Sequence, residues 1–342
     1  MTHDEEIRGP WSVDLADFPP DAGTHEVLAF AARFGLLAPS PHNTQPWLFH
    51  LHDAHLDVIG DTSRGLAVSD PYDRELVISC GSVITNITLA LSRLGYRSDV
   101  VVMPDPRDPE LYARIGLAGS AEPSSDDVEL FEQITRRRTS RVAFDERRLP
   151  DELVTRLARD VMDAGATLHV VDDRRPTVCD LITEADRLQM ADPHFRRELA
   201  AWLAGRGDRA DGIPEFSVEI GHLRLPPFVT PLVVRTFDIG DGKAAYDTEL
   251  VEHSGLLAVI ATPRDDVTSR LSAGRALQKV LLRACAHDVR SSFLNQPIEI
   301  DSLRGRLATA VGAANPQLVL RLGYGPSPSP SRRRDPAEFF VS

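Results

Sequence analysis

The sequence predicts a protein of mixed helices and strands in which one structural plan is used twice, and three observations carry that expectation. Segments with a 3.6-residue apolar period alternate with short β-branched runs, two helix-to-strand units line up with each other, and apolar residues make up 42% of the 342, ample for a core.

The first helix is expected over residues 24–37, where Thr24 can cap, Glu26 sits in the first turn, and Val27, Leu28, Ala31 and Phe34 fall on one face. Two strands follow, at 47–51 and 56–59, around an Asp53-Ala54 turn. A long helix over 79–94 places Val83, Ile84, Ile87, Leu91 and Leu94 inward and stops at Gly95, ahead of a strand at 100–103. The same plan then returns. Residues 152–164 match residues 26–38 at an offset of 126 and lead to a strand at 168–171. At that strand the offset falls to 119, a loss of seven residues where the first copy has a proline loop. Ser272-Ala273-Gly274 and its helix, carrying Ala276, Leu277, Val280, Leu281 and Ala284, match Ser79-Cys80-Gly81 at an offset of 193. The growth from 119 to 193 requires an insertion of about 74 residues, spanning roughly 180–250. Within it Asp192-Pro193 starts a helix with Phe195, Leu199, Trp202 and Leu203 on one side, followed by a Gly- and Pro-rich stretch over 205–231. A long excursion of this kind suits either a functional lid or a mobile linker, and the lid is favoured. The expected division is 1–125 and 126–342.

Composition narrows the function. A net charge of −13 argues against a general nucleic-acid or anionic-membrane binder. Cys80, Cys179 and Cys285 are far apart without a CxxC pair, so no disulfide framework or zinc cluster is expected, and a reduced, cytoplasmic setting fits. The N-terminus lacks a signal pattern, and no apolar run is read as approaching the roughly 20 residues of a membrane helix.

Ala38-Pro39-Ser40-Pro41-His42-Asn43-Thr44-Gln45-Pro46-Trp47 is the most informative stretch. Its three prolines fix φ and remove donors, so it runs as a rigid irregular loop. The loop offers two amides, two hydroxyls, an imidazole and an indole, a set suited to the edge of a flat heterocycle. The competing interpretation is a polar surface loop, against which Trp47 argues. Positive charge is concentrated in Arg136-Arg137-Arg138-Thr139-Ser140-Arg141 and in Arg332-Arg333-Arg334 behind a Pro-Ser-Pro-Ser-Pro run, a pattern that fits one phosphate dianion or, taken alone, two solvated charge runs. Arg321 interrupts an apolar strand at 318–322 and needs either solvent or an inward anion or acceptor. His50, His52 and His55 are better explained as an exposed hairpin than as metal ligands, and no metal is expected. Gly205-x-Gly207 follows a helix rather than a strand and fails as a dinucleotide fingerprint; nucleophile-elbow, phosphate-loop and HExxH patterns are absent.

The proline loop, Arg137-Arg138-Thr139-Ser140-Arg141, and Leu320-Arg321-Leu322-Gly323-Tyr324-Gly325 followed by arginines together resemble the FMN-dependent nitroreductase superfamily, and most of all its Acg-type branch, in which two nitroreductase-like halves are fused. The resemblance covers nearly the whole chain. It implies an α+β, nitroreductase-like fold whose tandem halves form an intrachain pseudo-dimer, and hence a monomer. The first half keeps loop 38–49 but lacks the arginines, whereas the second keeps the arginines, with a C-terminal basic segment at 326–342, but lacks the loop. One FMN site per chain follows from that division. The resemblance assigns Arg137, Thr139, Arg332 and Arg334 to the phosphate, with Arg321 nearby. It assigns Arg141 to the anionic reduced ring, Ser40, Asn43, Gln45, Pro46, Trp47, Leu48 and Phe49 to the ring and ribityl chain, and Gln296 to backbone contact with the flavin. It implies ping-pong hydride transfer from NAD(P)H through flavin N5 to a nitroaromatic or quinone. The alternative is an FMN-sequestering protein whose lid, bearing Trp202, Phe216, Phe228 and Phe237, covers the ring. A third possibility is a phosphate-anchored sensor or a partner-binding protein that uses the Pro-Ser tail as an extended ligand.

Overall fold

The computed structural model describes residues 9–203, 209–213 and 229–341. The expected aromatic positions Phe216 and Phe228, and the Gly205-x-Gly207 pair, lie outside the described residues.

Helix α1 (Thr24–Gly35) begins one residue earlier at its cap than the sequence suggests. Gly23 is the N-cap and makes no side-chain bond, while Thr24 is already helical. The hairpin β1 (Trp47–Leu51) and β2 (His55–Gly60) follows, then α2 (Arg74–Arg93), β3 (Tyr96–Val102) and β4 (Leu111–Ser120). Helix α2 starts five residues before the expected 79, because Asp73 sits in the left-handed region at φ 50° and the carboxylate of Asp70 accepts from Glu75 N and Leu76 N. The next strand runs over 96–102 rather than 100–103, ended by Met103 at φ 50°. Helices α3 (Ser125–Phe131) and α4 (Asp151–Asp163) lead to β5 (Thr167–Val170). The inserted region holds α5 (Arg175–Ala191), α6 (Pro193–Trp202), α7 (Thr230–Thr236) and α8 (Gly240–Glu252). As the Asp-Pro signal requires, Asp192 caps α6 by accepting from His194 N. The chain continues with β6 (Leu256–Thr262), α9 (Val267–Ala286), β7 (Arg290–Phe293), α10 (Gln296–Glu299), α11 (Asp301–Val311), β8 (Asn315–Gly323) and β9 (Phe340–Val341).

Two sheets result. One has the order β3-β4-β2-β1-β9 and the other β7-β8-β6-β5. Every neighbouring pair is antiparallel except β1 with β9, where the end of the chain returns to lie parallel to the first strand. Set aside β9, and strands at matching places in the chain hold matching places in the two sheets. Helices α2 and α9 are each 20 residues long and stand at the 193-residue offset throughout. They pack on each other where a Cβ on Gly81 would lie 2.3 Å from Leu271 O, and one on Gly274 1.9 Å from Ile78 O. No side chain fits there, so glycine at both positions lets the backbones meet.

Helix α2 contradicts one sequence expectation, because it is long and apolar enough to cross a membrane. It is instead the central core helix, with 89% of its apolar window buried. Its apolar side is shared with α1 and the first sheet, whereas α9 and α4 cover one face of the second sheet and α5 and α11 the other. Strand β6 is therefore buried along its whole length, while β3 alternates between half-buried and exposed.

Candidate functional site

The proline loop turns sharply. Pro41–Asn43 form one short 3₁₀ turn, and His42, Asn43 and Gln45 occupy left-handed φ values of 51°, 57° and 53°. Each such non-glycine residue costs about 1–3 kcal/mol, a strain that only surrounding structure can hold in place. The polar side chains do this. Ser40 Oγ accepts from Gln45 N at 2.9 Å. Gln45 accepts from Arg334 N at 3.0 Å through Oε1, and donates through Nε2 to Ala210 O at 3.0 Å. Asn43 donates to Arg332 O at 3.1 Å and accepts from Arg333 at 2.7 Å. Both amides, expected to edge a heterocycle, are thus occupied in tying the loop to the C-terminal segment.

A cavity opens beside this loop, lined by Ser40, His42 and Asn43, by Arg137, Arg138, Thr139 and Arg141, by Arg333, and by Lys243 and Gln296. Six of the residues singled out from the sequence therefore come together: Ser40, Asn43, Arg137, Thr139, Arg141 and Gln296. The others stand outside the lining. Trp47 and Phe49 are wholly buried, Trp47 stacked on Phe339 and Phe49 tilted against Phe340, and both are core anchors of β1. Gln45, Pro46 and Leu48 are also absent from it. Arg321 points from β8 over the Phe144 ring at 4.3 Å and donates through Nη2 to Val142 O at 2.9 Å, while its Nε and Nη1 are buried without an acceptor.

The C-terminal arginines differ from expectation by one residue. Ser329, Ser331 and Arg333 line the cavity, and Arg332 and Arg334 do not. In extended chain successive side chains alternate between two sides, so choosing Arg333 sends its neighbours away. Arg334 accordingly lies over Phe339 and reaches Glu338 at 3.1 Å.

Arg137, Arg138 and Arg333 form an electrostatically unbalanced group. Arg137 is 3% exposed and Arg333 7%. Burial lowers Arg137 and Arg138 to about 10, with Arg138 adding to the effect on Arg137; burial and the two neighbouring guanidiniums push Arg333 well below its ordinary value. Arg333 is held by Leu36 O at 3.0 Å and Ala38 O at 3.2 Å, and Arg137 by Leu37 O at 3.4 Å. Among the described residues none of the three has a carboxylate partner. Arg137 Nε has no acceptor at all. Segment 137–141 is fixed where it stands because Ser140 N donates to Ser291 O at 2.9 Å, joining it to β7.

Elsewhere the lining is acidic and amide-rich, and sequence reasoning missed it. Glu75 and Glu299 both face the cavity. Burial raises Glu75 to about 7, an effect to which Asp70 adds, and burial with repulsion from Glu75 raises Glu299 to about 8. Asn295 donates to Glu75 at 2.8 Å and Gln189 to Glu299 at 2.5 Å. Lys243 bridges Asp186 and Asp247, the same carboxylates that take the Gln296 amide, leaving Gln296 Oε1 buried without a donor. Lys243 had one available signal: it and Lys279 are the chain's two lysines. His42 is lowered to about 4, by burial first and then by Arg141 and Lys243, so it faces the cavity as a neutral imidazole. The inserted region completes the wall with Phe195, Leu199 and Ile213.

The fold and site together define an α+β protein with one mixed-charge cavity, lined from both ends of the chain and from the insertion between β5 and β6. No family model matches the sequence. A Mycobacterium tuberculosis protein named "Putative NAD(P)H nitroreductase" is 31% identical over 333 residues, covering 95% of this chain and 92% of its own. The Mycobacterium tuberculosis Acg protein, which bears the same description, is 26% identical over 328 residues, covering 94% and 96%. This chain belongs to the NAD(P)H nitroreductase family that these relatives represent. Among solved structures, a nitroreductase with bound FMN from Desulfitobacterium hafniense aligns at 12% identity, covering 63% of this chain and 98% of its own, with a TM-score of 0.38.

Proposed function

We propose that this chain binds one FMN in the cavity described above and works as an NAD(P)H-dependent oxidoreductase on small oxidised acceptors such as nitroaromatics or quinones. The observation that carries the proposal is the trio Arg137, Arg138 and Arg333, three desolvated cations without a carboxylate among the described residues. Burying like charges together is unfavourable unless an anion joins them, and a phosphate dianion beside guanidinium forks is the fitting counter-charge. Arg137 Nε and Gln296 Oε1, both buried without partners, add an unfilled donor and an unfilled acceptor on the same cavity. These groups fit FMN, whose phosphate is anionic and whose ring edge carries donors and acceptors.

Arg137, Arg138 and Thr139 hold the phosphate in this account, while Arg333 keeps the loop closed and adds positive field. Gln296 and Ser40 offer polar contacts, and Arg141 supplies positive charge that favours an electron-rich ring. When bound, FMN would accept a hydride at N5 from NAD(P)H and pass electrons to a second substrate in ping-pong order. The matching strand orders and the constant 193-residue offset support an internal duplication, divided near residue 125, with the loop kept in one half and the arginines in the other.

A second reading, FMN held behind an occluding lid, is favoured by specific contacts of the insertion. Glu198 on α6 accepts from Val68 N, Ser69 N and Ser69 Oγ at 2.7–2.9 Å. Arg64 pairs with Asp211, and Gln45 donates to Ala210 O. These contacts fasten α6 and residues 210–211 to the first-sheet side of the cavity. Stopped-flow absorbance of FMN-loaded protein with excess NADPH or NADH, without oxygen, separates the two readings. Bleaching within seconds supports the oxidoreductase, and an oxidised spectrum lasting minutes supports sequestration. Protein that takes up no FMN overturns both.

A further inference from the structure

The tip of the β1–β2 hairpin holds a group that the cavity does not use. His52 and His55 flank the two-residue turn, and their Nε2 atoms lie 3.5 Å and 3.8 Å from the carboxylate of Asp57. The donor atoms of all three lie within 4.8 Å of one another. Both Nε2 atoms are shielded from solvent and have no hydrogen-bond partner. Their distances to the carboxylate exceed a normal hydrogen bond, yet approach the roughly 3.3 Å edge of a tetrahedron built from bonds of about 2.0–2.1 Å, the geometry of zinc with nitrogen and oxygen ligands.

The surroundings prepare the three donors. Asp57 is 4% exposed on β2, and Arg114 on β4 holds it by paired bonds of 2.8 Å. A carboxylate has about four lone-pair sites, of which the guanidinium takes two, so Asp57 keeps acceptor capacity toward the histidines. That second partner fixes the carboxylate's orientation, as outer ligands of metal sites do. The imidazoles are stacked, His50 on His52 at 4.0 Å between centroids and His52 on His55 at 4.2 Å, so His52 is braced on both sides.

We propose that His52, His55 and Asp57 form a binding site for one divalent transition-metal ion of the zinc type, with a fourth position open to water. Such an ion would clamp the turn that joins β1 to β2, next to the strand entered from the proline loop. The site is independent of FMN.

Zinc chloride titrated calorimetrically into the untagged, metal-stripped full chain in a weakly coordinating buffer tests the proposal. One saturable equivalent per chain of micromolar or tighter affinity is expected, with tetrahedral visible bands when Co2+ replaces zinc. His52→Gln and His55→Gln, made separately, should each weaken zinc binding at least tenfold and remove the Co2+ bands. The absence of saturable zinc binding by the folded wild-type chain overturns the proposal. So does undiminished binding in either variant, and either one suffices if the other does not fold.

Discussion

The two sheets have the same strand order and quite different connections. In the first, β1 and β2 are joined by residues 52–54, and the ten-residue proline loop leads into β1. In the second, residues 164–166 suffice between α4 and β5, but residues 171–255 intervene between β5 and β6. The strands and the paired helices α2 and α9 make a frame, and the cavity is furnished by what differs between the sheets. Charge follows the same division: α9 places its buried Arg283 among Asp126, Glu129 and Asp160, a closed ionic set, whereas α2 places Glu75 toward the cavity with only partial compensation from Arg74.

The frame is most easily broken at its crossing. Gly274→Ala places a methyl group 1.9 Å from Ile78 O, and backbone cannot yield there without separating α2 and α9. A loss of about 3 kcal/mol or more is expected in urea unfolding, the upper end for overpacked cores. A change under about 1 kcal/mol would show that the helices do not meet at these glycines.

The insertion comes next. Glu198→Ala removes the acceptor of two backbone N–H groups and a hydroxyl, and should cost about 1–3 kcal/mol. Its sharper effect should be on access: in the FMN-loaded protein, flavin bleaching by NADPH should speed up at least severalfold if α6 and residues 210–211 gate the cavity. Unchanged rates would remove the lid from the account.

Glu299→Gln tests the acidic wall. The folded protein holds this proton up to about pH 8, against an ordinary value of 4.5. Between those values the folded state binds more protons than the unfolded, so wild-type stability falls as pH rises across that window and levels off above it. The variant should lack this component, so its stability relative to wild type should climb from pH 5 to pH 8 in urea midpoints. Parallel curves would mean Glu299 titrates normally.

The smallest effect is expected on the frame's outer surface. Gly305 lies within α11, and a Cβ there meets nothing within 4 Å. Gly305→Ala should add about 0.5–1 kcal/mol through lost unfolded-state freedom, opposite in sign to Gly274→Ala.

Much of the frame was legible because apolar periodicity reports burial directly: α1, α2, α4, α6 and α9 all stand near their expected places. What escaped was set by distant contacts. The start of α2 depends on Asp70 capping, and a Glu two residues into a helix carries no mark that it will be buried opposite Glu299. Strand β9 has two residues and exists through its pairing with Phe49 and His50. At the site, the residue types were legible and their directions were not. Trp47 follows the alternation of β1 into the core, Arg333 rather than its neighbours turns toward the cavity, and Asn43 and Gln45 bond to chain segments brought in from residues 210 and 332–334.

The central claim is a single anion-holding flavin cavity made from the proline loop and the arginine segments, and FMN titration followed by quenching of its fluorescence tests it most directly. Wild-type protein should saturate at one FMN per chain, Arg137→Gln should weaken binding by about thirtyfold or more, as loss of a buried charge contact of 2–5 kcal/mol implies, and Arg136→Gln should bind nearly as wild type. Two FMN per chain, or Arg137→Gln binding as tightly as wild type, would contradict it.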